Sequence, residues 1–393
     1  MKSIIILFIL LVALAAGCAP APSGTTPAAP IPKVRSPLLD SVPTSTPVPA
    51  EPTSTLVPTP APTEPPPVTI PTPTAAVPDI VSVQAPRIIA GAKTWLFAVD
   101  DGSPQLALSA ESDGKLLMGR LDVNTPDAAV SWQTVASPAD TGGKSIADHW
   151  HIFAHGYHWI VFSVAGDSAS YLLKLDKNFQ RLAIAPVGHT DGPTNDMFLV
   201  AESDGVAVGH FAPGYGHTIH HFDLAANKTG QVRIGGGTFA HSNGSSAIPV
   251  DGGYLLFATE TMNPLATSAV RLIRFDASWS PVNIGAVLDE DGTNAAMASA
   301  VRLDSGYTIV HLRVRTGVSP RQKSPTAQQP GSPMPDDSGA LVRLVLDPNG
   351  TIVSRETVVS ERANRPHTTL VGNLLITAWD EAGAIRLRVD RIQ

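Results

Sequence analysis

The sequence predicts an all-β protein, a six-bladed β-propeller of four-stranded antiparallel blades closed by a strand from the N-terminal side. Three observations carry this. From Asp79 onward, short apolar runs alternate with Gly and Asp turns, and no stretch holds a 3.6-residue apolar period. A strand ending in Asp recurs at Leu121-Asp122, Leu175-Asp176, Phe222-Asp223, Phe275-Asp276, Leu346-Asp347 and Val389-Asp390, at spacings of 54, 47, 53, 71 and 43 residues. The longest spacing contains Gly317–Ser338, a 22-residue polar insertion, and without it measures 49. Four strands at a period near 50 is the pattern of a propeller blade.

The 393 residues fall into three parts. Residues 1–18 place Lys2 before an apolar run, Ile4–Ala16, of 13 residues. That run is too short for a membrane span of about 20 residues and suits a secretory signal. It ends in Ala15-Ala16-Gly17-Cys18, and Cys18 is the only cysteine in the chain. Residues 19–78 hold 19 of the 36 prolines, with Thr, Ser, Ala and Val making up most of the remainder. Such a segment cannot bury enough apolar surface to offset its ordering entropy, and reads as an extended stalk. Residues 79–393 form the repeat domain, with 317–338 as a disordered insertion.

Within each repeat the order is a polar opening pair, strand a, a Gly turn, strand b, strand c ending in Asp, then strand d. The opening pairs are Asp148-His149, Thr194-Asn195, Ser242-Asn243, Thr293-Asn294 and Ala363-Asn364. Asp204-Gly205, Asp251-Gly252 and Ser305-Gly306 mark a–b turns of the kind tight hairpins prefer. The last repeat has strands at Asn373–Trp379 and Ala384–Val389 but no strand d, while Asp79–Ile89 is a strand without a blade. Joining the two closes the ring and removes open edges. The first blade turns at Asp101-Gly102; the alternative turn, Asp113-Gly114, gives five blades plus an extension.

Composition excludes several functions. One cysteine makes neither an internal disulfide nor a Cys-rich zinc site. A net charge of −7 with 27 Lys+Arg argues against a nucleic-acid partner. There is no Gly-rich phosphate loop, no His-Glu-x-x-His and no Gly-x-Ser-x-Gly. The six repeated Asp residues read as turn caps, and Met, Phe and Trp on the strands as packing between blades.

Candidate site residues gather on the loops that open the inner strands and, for Glu381, on the b–c loops. Ligand-binding candidates are His149, His151, Asn195, His241, Asn243, Asn294 and His367. Acid–base candidates are Asp148, Asp196 and Glu381, since hydrolysis of a glycosidic bond needs two carboxylates. His149 and His151 share one face of a strand and are the starting pair for a divalent metal, with His241 or His367 as the third ligand.

The Ala15–Cys18 stretch resembles the bacterial lipoprotein signal, with Ala15 where that family usually has Leu. The resemblance implies a diacylated Cys18 and attachment to the extracytoplasmic face of the membrane. The repeats, best seen in Gly252–Val282, resemble those of bacterial surface propellers, which implies a fold and no particular activity. The expected function is a ligand-binding or scaffold module for a glycan, peptide or cell-surface protein. The alternative is a surface polysaccharide hydrolase, metal-assisted or not.

Overall fold

The computed structural model describes residues 76–393, apart from 93, 126–128, 167–168, 190–196, 213–215, 235–244, 262–267, 289–292 and 317–338. Residues Thr72–Gln393 form one compact unit. The first strand, β1, is Ile80–Ile89. One four-stranded sheet follows from β2 (Thr94–Val99), β3 (Leu106–Ser112), β4 (Lys115–Leu121) and β5 (Gln133–Ala136). The second contains β6 (Ile146–Ala154), β7 (Tyr157–Val164), β8 (Ala169–Leu175) and β9 (Arg181–His189). The third contains β10 (Met197–Ala201), β11 (Gly205–Ala212), β12 (Gly216–Asp223) and β13 (Lys228–Ile234). The fourth contains β14 (Ser246–Val250), β15 (Gly253–Thr261), β16 (Ser268–Asp276) and β17 (Pro281–Val287).

The remaining strands are β18 (Thr293–Arg302), β19 (Thr308–Thr316), β20 (Gly339–Leu346), β21 (Ile352–Val371), β22 (Leu374–Glu381) and β23 (Ala384–Ile392). With β1 they make one seven-stranded sheet, ordered β1-β23-β22-β21-β20-β19-β18. Its first half is a fifth four-stranded unit, β18 to β21. Its second half is a sixth, in which β21 is now the inner strand and β1 the outer. The strand β21 was not expected to run unbroken through Ala363-Asn364: it serves both units, through register shifts against each neighbour. The only helical element among the described residues is a short 3-10 turn, Pro138–Thr141.

Closure follows the sequence expectation. β1 lies antiparallel to β23, from Ile80 opposite Ile392 to Ile89 opposite Ile385. The first hairpin connects β2 to β3 through Asp101-Gly102, so Thr94–Val99 pairs as the first strand of its sheet.

Each seam between neighbouring units is an apolar core, because period-two strands show one face to each neighbour. On β7, Ile160 and Phe162 pack toward the first unit, whereas Trp159 and Val161 pack toward the third. The seam between last and first units is made the same way, from Ile376, Ile385, Leu387 and Ile89 against Leu96, Ala98 and Leu108.

The repeated Asp residues cap turns, as expected, in five of six units. Asp122 accepts the backbone N–H of Asn124, and Asp176, Asp223, Asp276 and Asp347 each accept from residues two and four positions on. These bonds hold the Asp122 and Asp223 carboxyls below their ordinary value, and the Ser278 hydroxyl together with the backbone donors does so for Asp276. The sixth differs. Asp390 is fully buried and paired with Arg343 at 2.7 Å and Arg388 at 2.7 Å. Its unit ends on β1 rather than on a following turn, so the carboxylate has guanidinium groups to meet instead of backbone N–H groups.

Candidate functional site

Several of the sequence candidates lie outside the described residues: Cys18, Asn195, Asp196, His241 and Asn243. Asn294 is on β18 opposite Arg315. Asp148 is half-buried on β6, opposite Ser163. Glu381 ends β22, where it accepts from Trp379 Nε1 at 3.1 Å and pairs with Arg386 at 3.4 Å.

What the structure brings together at the hub is a different set. The inner strands β2, β6, β18 and β21 each shift register against their neighbour by an extra residue near their entry. The described inner strands β10 and β14 pair without a shift. Bulges re-aim side chains and gather at barrel rims and sites. Three of the bulged residues, Trp95, Met297 and Arg365, have positive φ of 54°, 58° and 48°. That region is unfavourable for large non-glycine side chains and costs about 1–3 kcal/mol each.

All three bulges open on one slot. It is lined by Trp95, Phe97, Trp150, Met297, Arg365 and His367, among others. Trp150 comes from the second unit and Met297 from the fifth, across the ring from one another, so the slot lies on the axis. Phe97 forms its floor, 5.0 Å from Trp150 and 4.4 Å from His367 between ring centres. The Arg365 guanidinium lies 4.5 Å over the Trp95 ring and 3.1 Å from Asp380.

His367 is the sequence candidate that reaches this slot. Ala98 N–H donates to its Nδ1 at 3.4 Å, so the neutral ring carries its proton on Nε2. Burial pushes its pKa down to about 3, so neutrality persists at ordinary pH. The slot lining therefore brings together two indoles, the Arg365 guanidinium and the His367 ring. Trp95 and Trp150 were expected in the core with the other tryptophans. Trp159, Trp279 and Trp379 are buried there, and Trp150 packs against two of the cores while also reaching the slot, whereas Trp95 sits in the bulge of β2.

His149 and His151 do share one strand face, and both face the Ser109 hydroxyl on β3. His149 Nε2 and His151 Nδ1 each lie 3.0 Å from Ser109 Oγ. His151 Nε2 is 3.1 Å from His158 Nδ1, and His158 Nε2 is 3.2 Å from Asp101, which also binds Arg120 at 2.6 Å. All three imidazoles are buried in the seam between the first two units. They belong to a hydrogen-bonded chain rather than to an open loop, and among the described residues no group of three His, Cys, Asp or Glu is placed to hold a metal.

No protein-family model matches the chain, and no curated protein matches it. Solved structures do. An arginine-to-alanine triple mutant of AofleA from Arthrobotrys oligospora aligns with a TM-score of 0.52 at 8% identity, over 80% of this chain and 86% of that one. The SapL1 lectin in complex with alpha methyl fucoside aligns at 0.46 and 11% identity, over 75% and 90% of the two chains. The GH43 endo-arabinanase from Bacillus licheniformis aligns at 0.35 and 16% identity, over 56% and 87%. At these identities the likeness is one of fold, and the fold of this chain is a β-propeller.

Proposed function

We propose that this protein is a lipid-anchored, extracytoplasmic binding propeller whose hub slot takes a glycan. The observation that carries the reading is the convergence of three strained bulges on one slot. Backbone strain persists where the surrounding structure holds it, and such positions cluster at ligand sites. The slot itself, about 10 Å³, has room for one water-sized group, so the sugar would lie across its mouth, and the chemistry there fits a sugar. Aromatic faces with a few placed polar groups are the usual lining of ligand pockets. The Trp95 and Trp150 faces suit the C–H side of a pyranose or furanose ring. The Arg365–Asp380 pair offers a donor and an acceptor to neighbouring hydroxyls, and His367 Nε2–H supplies a second donor.

Wild-type protein on an immobilised glycan array, beside Trp95→Ala, tests this. Saturable binding that disappears in the variant is the expected outcome. Failure to bind any glycan class sinks it, and release of sugar that depends on Asp148 replaces it with the hydrolase reading. Anchoring rests on Cys18 and the Pro-rich stalk. Fatty-acid labelling of the expressed protein, lost in Cys18→Ser together with membrane sedimentation, is the outcome that supports it.

A further inference from the structure

The buried chain Asp101–His158–His151–Ser109–His149 has a property that packing alone does not require. Its inner atoms are all hydrogen-bonded; at one end His149 Nδ1 has no hydrogen-bond partner among the described residues, and at the other His158 Nε2 meets Asp101 Oδ2, which the Arg120 guanidinium also pairs at 2.6 Å. The 3.2 Å contact between His158 and Asp101 is thus an ion-pair distance without good hydrogen-bond alignment. The His149 end faces the hub. Its ring meets Phe97 edge-on at 4.8 Å, and Phe97 in turn packs against His367 in the slot.

The carboxylate sets the direction of the chain. Facing Asp101, His158 keeps its proton on Nε2, because a lone pair there would oppose an anion. Its Nδ1 must then accept from His151 Nε2–H. His151 Nδ1 accepts from the Ser109 hydroxyl, and Ser109 Oγ accepts from His149 Nε2–H. His149 Nδ1 is left as an open acceptor at the hub end.

We propose that this chain is a proton relay that links the hub to Asp101. One proton joins His149 Nδ1. The Nε2 proton of His149 passes to Ser109 Oγ, the hydroxyl proton passes to His151 Nδ1, and the Nε2 proton of His151 passes to His158 Nδ1. One proton has entered and none has left. His149 and His151 are again neutral with their protons on Nδ1, and the positive charge rests on His158 beside Asp101. At the hub, the outcome is that His149 Nδ1 changes from acceptor to donor.

The groups around each end agree with this. Asp101 and, more remotely, Asp176 from the turn after β8 favour charge on His158, while Arg120 from β4 opposes it, with Phe153 and Phe179 packed against the ring. His149 meets Ser109 from β3 and His367 from β21, and no carboxylate appears among its charge neighbours. Burial holds His158 near 4 and His149 near 3, so of the two His158 takes the charge first.

Imidazole 15N NMR of the full-length protein at pH 7.5 tests the relay without a ligand. Wild type is expected to show Nε2–H on His149, His151 and His158. In Asp101→Asn the amide turns its oxygen to Arg120 and its NH2 to His158 Nε2, so all three rings should switch to Nδ1–H. Adding Ser109→Ala should leave His149 unswitched while His151 and His158 still switch. Acidification of wild type toward pH 4 should raise Nδ1–H on His149 as imidazolium forms on His158. Unswitched rings in Asp101→Asn, Nδ1–H on His151 in wild type, or imidazolium first on His149 would overturn the proposal. The wild-type spectra decide alone if a variant does not fold.

Discussion

Arg365 lies with its guanidinium 4.5 Å over the indole of Trp95, and both residues have positive φ. Each stands at the bulge of its own inner strand, so two independent register shifts meet in one stacked pair. An exposed cation–π contact of this kind contributes about 0.5–1 kcal/mol, less than the strain it accompanies. Replacing Arg365 by Ala keeps the positive φ and removes the pair with the partly buried Asp380, so a modest stability loss of about 1 kcal/mol is expected, while slot binding falls at least tenfold. Paired melting and glycan-binding curves for Arg365→Ala check this; a large drop in melting temperature would instead make the pair structural.

Closure of the ring depends on β1 and on the buried ions behind β23. Arg343 pairs with both Asp390 and Glu356, and Arg343 and Asp390 are almost fully buried. Breaking a buried pair leaves a charge uncompensated at a cost of about 3–5 kcal/mol. Arg388 still serves Asp390, so Arg343→Leu is expected near the lower figure by denaturant titration. Deleting Asp79–Ile89 should destabilise the whole domain, and an unchanged melt would refute closure by β1.

In the seam between third and fourth units, Trp279 stacks on Tyr254 at 4.1 Å with ring planes 7° apart, and its Nε1 donates to Glu202 at 3.1 Å. It is buried although its φ is 62°. Trp279→Ala should cost about 3–5 kcal/mol, as large-to-small core changes do. Trp279→Gly relieves the backbone but empties the same space, so a loss as large in both variants would show that the cavity dominates.

Acid should weaken the fold, with a sign fixed by six histidines. Burial pushes His149, His220 and His367 down to about 3 and His158 to about 4, and holds His151 and His311 well below the ordinary value. Unfolded, each returns to about 6.5, so the unfolded chain takes up protons first. Stability is complete above pH 6.5 and falls below it, by about 1.4 kcal/mol per pH unit for each histidine still neutral in the fold. Melting temperature should be flat from pH 8 to 7 and decline below 6.5, and a curve flat to pH 5 would contradict the buried network. His311→Gln should make the decline shallower.

Much of the fold was legible because its signals are local. An Asp that caps its own turn leaves a mark every 50 residues, and a missing fourth strand at one end of the repeats matches a spare strand at the other. Asp390 broke the pattern because its role depends on Arg343, which is remote in sequence. The slot was legible only through His367. A bulge is a register relation between two strands, so nothing near Trp95 or Arg365 announces that either leaves its expected face. His149 and His151 were rightly placed on one face, but the Ser109 that fills the space before them comes from another unit.

The pairing of Ile80 with Ile392 also sets an order of events in time. Among the described strands β1 is the first to be synthesised and β23 the last, so β1 waits unpaired until β23 has been made. Contacts this remote in sequence form slowly, and a waiting strand edge invites the wrong partner. Ser82, Gln84 and Arg87 interrupt the apolar residues of β1, which keeps that edge soluble during the wait. The pairing that seals the ring thus waits on β23, and a chain that lacks β23 leaves it open.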